Sequence, residues 1–73
     1  MTGIEVYNIA SKNIDNTVIV YCFGEILKGR FNNDESKLRF STLSNLWDFT
    51  EYDGWGDIKI RSHWIEKIES DIS

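Results

Sequence analysis

Four carboxylates, Asp48, Glu51, Asp53 and Asp57, crowd into residues 48–57. Paired acids at such spacing are raw material for general acid–base catalysis. That chemistry needs a pocket to shift one partner's pKa toward neutrality, and the Asp53-Gly54 turn signal places these acids on a solvated hairpin instead. His63 is the only histidine and Cys22 the only cysteine, so neither a zinc cluster nor a defined nucleophile–base pair is specified. Cys22 falls on the inward side of an apolar run, where a thiol packs as a small inert hydrophobe. Gly54-Trp55-Gly56 is no phosphate loop; its glycines serve the turn. The sequence therefore predicts no enzyme, no metal and no cofactor.

The same stretch offers aromatic surface. Trp47, Phe49, Tyr52 and Trp55 interleave with the acids, and residues 46–57 contain no base. Tyrosine and tryptophan bury large areas with few rotors to freeze, and they dominate interface hot spots. Tyr52 and Trp55, flanked by Glu51, Asp53 and Asp57, suit a basic, partly apolar patch on another protein, with charge speeding the encounter. Asp48 belongs to the same partner-binding set, and Glu66, Glu69 and Asp71 extend the negative surface and imitate phosphate spacing, so the expected partner is a host protein that handles nucleic acid. The competing account of the two rings is cross-strand stacking, worth about 0.2–1 kcal/mol. Four acids coinciding with an extra tryptophan favour docking.

A hairpin must position these groups. Asp-Gly is the strongest signal for a two-residue type I′ turn, because both central residues need positive φ. Folding about residues 53 and 54 pairs Tyr52 with Trp55, Glu51 with Gly56, Thr50 with Asp57, Phe49 with Ile58, Asp48 with Lys59 and Trp47 with Ile60. Side chains alternate along a strand. Trp47, Phe49, Ile58 and Ile60 then share the core face, while Asp48, Thr50, Tyr52, Trp55, Asp57 and Lys59 share the solvent face. Burial is worth about 1.5–3 kcal/mol for each core side chain, and Trp47→Ala is the change expected to unfold the chain.

The remaining elements follow from pattern. Residues 4–9 alternate as a short first strand and residues 10–16 read as a loop with Ile14 tucked onto the core; a short N-terminal helix is the competing reading. Residues 17–23 are β-branched and aromatic, hence strand. Gly24-Glu25 suits a type II′ turn pairing Cys22 with Leu27, Val20 with Gly29 and Val18 with Phe31. Gly29 within the return strand predicts a bulge or sharp bend. The outward side (Ile19, Tyr21, Phe23, Ile26, Lys28, Arg30) is more apolar than an ordinary solvated face and predicts either a cover or a subunit contact. Residues 32–35 read as a turn, and residues 37–42 as a strand with Leu38 and Phe40 inward and Arg39 and Ser41 outward. Residues 62–68 read as one helical turn and a closing strand, with the tail fraying from Ser70. The expected fold is all-β or β-rich α+β: a small, strongly bent antiparallel sheet or SH3/Sm-like barrel of about five strands.

Seventy-three residues make one domain, 1–73, whose single small core supplies about 3–5 kcal/mol. With disulfide and metal excluded, homodimerisation is the expected support. A single thiol, no secretory segment and no apolar run near the ~18 residues of a membrane helix predict a cytoplasmic protein with no membrane partner. A net charge of −4 opposes non-specific attraction to phosphate backbones and disfavours direct nucleic-acid binding. Absent proline and a single alanine fit AT-rich coding, as in low-GC bacteria and their phages.

The run from Ile58 to Ile68, with Ile60-Arg61 ending an apolar strand and spaced isoleucines after it, resembles the second motif of Sm-like RNA-binding proteins. Residues 18–31, with Gly29 after a hairpin, are similar to the strands of the first. Together these cover about a third of the chain. Ser62 occupies the place of the family's glycine, and Asp34 falls one residue before the place of its aspartate. The resemblance implies a small barrel and, as an alternative function, an RNA-binding ring subunit in which Arg61 contacts nucleotide, with Lys59 and Arg30 as further basic contacts. By composition alone, the chain is also similar to small acidic phage-encoded inhibitors of host DNA-processing proteins, including the replication sliding clamp.

Overall fold

A reciprocal capping box starts the chain's first helix, α1 (Gly3–Lys12). Thr2 Oγ1 accepts from the Glu5 amide at 3.2 Å, and Glu5 Oε1 accepts from the Thr2 amide at 3.0 Å. Hydrogen bonding from the Thr2 amide, and then from the Thr2 side chain, stabilises the ionised Glu5 carboxylate and holds its pKa below the ordinary value. Gly3, Val6 and Ala10 are the buried positions, a helical spacing that overturns the strand expected over residues 4–9. Ile14, expected on the core, is exposed.

In the computed structural model, which describes residues 1–32, 34–52 and 56–71, two helices and five strands follow the order α1, β1 (Val18–Cys22), β2 (Glu25–Phe31), α2 (Glu35–Ser44), β3 (Leu46–Glu51), β4 (Asp57–Arg61), a 3-10 turn (Ser62–Trp64) and β5 (Ile65–Ser70). The sheet is antiparallel in the order β4-β3-β2-β1-β5. It is open among the described residues, so the molecule is a β-rich α+β fold. Helix α2 replaces the strand expected over residues 37–42. Asp34 caps it through the Ser36 amide at 2.9 Å, and Asn45 ends it in the left-handed region at φ 59°. Its buried positions are Leu38 and Ser41, with Phe40 70% exposed, so the expected sides of Phe40 and Ser41 are exchanged.

The β3–β4 register agrees with expectation from Thr50↔Asp57 through Trp47↔Ile60; the turn at Asp53, Gly54 and Trp55 lies outside the described residues. In the β1–β2 hairpin the pairs are Cys22↔Glu25, Val20↔Leu27 and Val18↔Gly29. The turn is therefore Phe23-Gly24, at φ 49° and 76°, and the register stands two residues from the one expected. An even shift keeps every side chain on its face, so Val18, Val20 and Cys22 remain inward. Gly29 pairs regularly with both Val18 and Glu51. The irregularity expected there lies instead between Tyr21 and Cys22 on the β5 side.

Helices and sheet enclose one core: Val6 and Ala10 of α1, Leu38 of α2, and Val18, Val20, Phe31, Trp47, Phe49, Ile60 and Ile65 from the strands. Phe31 meets the rings of Trp47 and Phe49 edge-on, at centroid distances of 5.7 and 5.2 Å, a geometry aromatic quadrupoles favour. Trp47 Nε1 donates to the buried Ser62 Oγ at 2.9 Å, which ties β3 to the 3-10 turn. At the far edge, Ser70 pairs with Val18 and donates to Asn13 Oδ1 at 2.8 Å, and the Asp71 amide donates to the Thr17 carbonyl at 3.0 Å. Ser70 is therefore anchored and does not fray.

Candidate functional site

With both helices packed on the inner face of the sheet, its outer face is left without a helical cover. Strand parity places Asp57, Lys59 and Arg61 of β4, Asp48 and Thr50 of β3, Lys28, Ile26 and Arg30 of β2, Ile19 and Tyr21 of β1, and Lys67 and Glu69 of β5 on that side. Tyr52 continues the outward set of β3: its amide donates to the Lys28 carbonyl at 2.8 Å, and Lys28 Nζ lies 5.7 Å from its ring centre. Tyr52, Ile26 and Phe23 are 67, 66 and 68% exposed. Tyr52 and Ile26 share the uncovered face by strand parity, and Phe23 adjoins it in the β1–β2 turn, a kind of exposure that is typical of interaction surfaces.

The expected acidic site is only partly assembled. Asp48 accepts from Lys59 Nζ at 2.7 Å, and Asp57 accepts from Thr50 Oγ1 at 2.6 Å. Both belong to a polar cleft of about 350 Å³ lined by Asn32, Lys37, Asp48, Thr50, Asp57 and Lys59. Its carboxylates are engaged, and its lining holds neither a histidine nor a cysteine. Glu51 pairs with Gly29 on the inward parity, half-buried, so it turns from the solvent face. Glu66 and Glu69 sit on β5, the edge opposite β4, and do not join the hairpin's acids. Glu69 forms an ion pair with Lys67 at 3.1 Å. Hydrogen bonding from Tyr21 and then Lys67 lowers its pKa below the usual carboxylate value, while the same contact raises that of Tyr21. Asp53 and Trp55 lie outside the described residues.

Of the basic residues, Arg30 is exposed opposite Thr50. The Arg61 guanidinium lies 5.7 Å from the Trp64 ring centre, and His63 is exposed beside the same ring. Cys22 is buried, and desolvation pushes its pKa up, which suits packing and not nucleophilic attack. Among the described residues no group of three or more His, Cys, Asp or Glu side chains could hold a metal ion, and no helix is long and apolar enough to cross a membrane.

Phe23, which sequence reading placed among the outward residues of the first hairpin, joins the exposed aromatic groups. It occupies the first turn position at φ 49°, where a bulky L-residue is strained by about 1–2 kcal/mol and asparagine is far better tolerated. Its ring leans on Trp64 at 5.5 Å, a contact worth about 0.5–1.5 kcal/mol. Phe23→Asn relieves the first while losing the second, so the urea midpoint should move by less than the equivalent of about 1 kcal/mol. A large destabilisation would make Phe23 a structural wedge and remove it from the surface. The signal was available, since Phe23 precedes Gly24 and lies on the outward set. Comparisons of the chain with protein-family models, with curated proteins and with solved structures gave no match.

Proposed function

We propose that this chain is a non-enzymatic protein-binding module, built on a small partly open barrel of SH3/Sm-like type, that docks through the outer face of its sheet. The occupant is a nucleic-acid-handling host protein, such as the replication sliding clamp, which the module blocks in the manner of a small phage inhibitor. The observation that carries the reading is the exposure of Tyr52 and Ile26 on one face that no helix covers, with Phe23 exposed at the adjoining β1–β2 turn. Aromatic and aliphatic anchors supply residence time. The charges bordering them, Asp57 and Glu69 against Lys28 and Lys67, set orientation more than affinity. Asp48 contributes little to the field, since Lys59 neutralises it at 2.7 Å.

Affinity capture from host lysate with the wild-type chain, Tyr52→Ala and Ile26→Asp tests this. Each variant should lose its partner by about 30-fold or more in affinity, the loss of one hot-spot residue, with its fold intact by circular dichroism. Equal recovery by all three removes the docking face. The alternative reading, an Sm-like RNA binder, draws support from the exposed Arg30 and Arg61 and predicts salt-sensitive oligonucleotide retardation that is lost in Arg61→Ala. No retardation at low salt eliminates it.

A further inference from the structure

We infer that the helical layer is a homodimer interface, in which Leu43 of each copy seats in the Tyr7–Arg39–Thr42 pocket of the other. Helix α2 is built backwards for a helix that serves only its own core. It buries Leu38 and Ser41 and leaves its two other large apolar side chains outside, Phe40 at 70% and Leu43 at 84% exposure. Ile4 of α1, 66% exposed, joins them, one helical turn before Tyr7. The two helices pack closely: a side chain on Gly3 would stand 2.5 Å from the Thr42 carbonyl oxygen. Between them, Tyr7, Arg39, Thr42 and Leu43 line a shallow pocket of about 370 Å³. Tyr7 and Arg39 are held there by Glu35, which accepts from both.

A protruding leucine beside an apolar pocket on one face is self-complementary. A two-fold axis places each leucine in the other copy's pocket, the reciprocal geometry of an isologous contact. Charge distinguishes a second copy from other occupants. The helical layer with its cap carries Glu5, Asp34 and Glu35 against Lys12, Lys37 and Arg39, which cancel. The nine acids and five bases elsewhere hold the whole net charge of −4. Two acidic molecules therefore meet less like-charge repulsion when they approach by this face than by the rest of the surface. Area suffices as well. A specific interface takes upward of about 500 Å² from each partner, within the reach of a face on a molecule measuring 27 × 24 × 22 Å. Pairing by the helices leaves both outer sheet faces pointing away from the axis, so the dimer would present two docking faces.

Sedimentation velocity on the full chain, from micromolar to millimolar concentration, tests the pairing. The wild type should approach twice the 8.5 kDa chain mass. Leu43→Asp should raise the dimer dissociation constant by about 30-fold or more, and Phe40→Asp should weaken it too. Both positions are exposed, so circular dichroism should show the fold retained. Ile26→Asp, on the sheet, should leave the dimer intact while abolishing capture of the host partner, which separates this inference from the proposed function. A wild type that stays monomeric, assemblies that grow beyond two copies, or a dimer insensitive to Leu43→Asp would each overturn the assignment.

Discussion

Trp47→Ala should leave the chain unfolded at room temperature. Trp47 is 1% exposed and is the largest of the fully buried side chains. Truncating a buried tryptophan costs about 3–5 kcal/mol through lost transfer energy and the cavity left behind. The same change strips Ser62 Oγ, 1% exposed at the residue level, of the Nε1–H that donates to it at 2.9 Å. A buried polar group left unpaired adds about 1–3 kcal/mol. A single core of this size supplies a net of about 3–5 kcal/mol, so the sum of losses reaches or exceeds what is available. Far-UV circular dichroism and amide dispersion by NMR should both show a disordered chain. Trp47→Phe keeps a ring against Phe31 and loses the hydrogen bond, so it should stay folded with a lowered melting temperature. If Trp47→Ala melted cooperatively within about 10 °C of the wild type, equivalent to roughly 2 kcal/mol for a domain of this size, the β3 ring would not be the keystone of the core.

How far such features could be read in advance depended on how local their causes were. The β3–β4 hairpin was legible pair by pair from Trp47↔Ile60 to Thr50↔Asp57, because strict alternation around Asp53-Gly54 leaves one register that buries Trp47 and Phe49. The β1–β2 hairpin was legible by face and misplaced by register, since the turn puts Phe23 at positive φ where turn chemistry expects Asn, Asp or Gly. Both helices were hidden by accidents of spacing. Ile4 and Val6 alternate with Glu5 and Tyr7, and Leu38 and Phe40 alternate with Arg39 and Ser41, so each run imitates a strand. The caps told otherwise: Thr2 with Glu5 three residues on, and Asp34 ahead of Leu38, are helix starts written in the sequence. Phe40 defeats the pattern outright, because it is apolar and faces outward. For the site, the exposure of Tyr52 followed from hairpin parity alone. The separation of Glu66 and Glu69 from the hairpin's acids did not, since it arises from β5 pairing with β1 at the opposite edge, a tertiary choice that no local signal encodes.

Gly29→Ala should be the most damaging single-methyl addition in the molecule. Gly29 sits mid-sheet, paired on one side with Val18 and on the other with Glu51. A Cβ there would stand 2.0 Å from the Thr50 carbonyl oxygen and 2.9 Å from both the Thr50 carbonyl carbon and Phe49 Cε2. The first obstacle is backbone and the last belongs to a ring with 0% exposure, so neither yields without moving β3 away from β2. The β2–β3 ladder runs over Gly29↔Glu51, Arg30↔Thr50 and Phe31↔Phe49, too short to absorb such a shift. Overpacking of this kind costs about 3 kcal/mol or more. Gly24→Ala is the matched control: its φ is +76° and nothing lies within 4 Å of the added methyl, so only left-handed strain remains, about 1 kcal/mol. Urea unfolding should therefore rank Gly29→Ala well below Gly24→Ala. Near-equal midpoints would show that the strands relax at little cost and that glycine is not required by their approach. The same close approach holds the outer surface together, because it is β2 against β3 that sets Lys28 beside Tyr52. Under the proposed docking through that surface, whatever fraction of Gly29→Ala remains folded should consequently bind less tightly than Gly24→Ala does, although the added methyl lies on the core side.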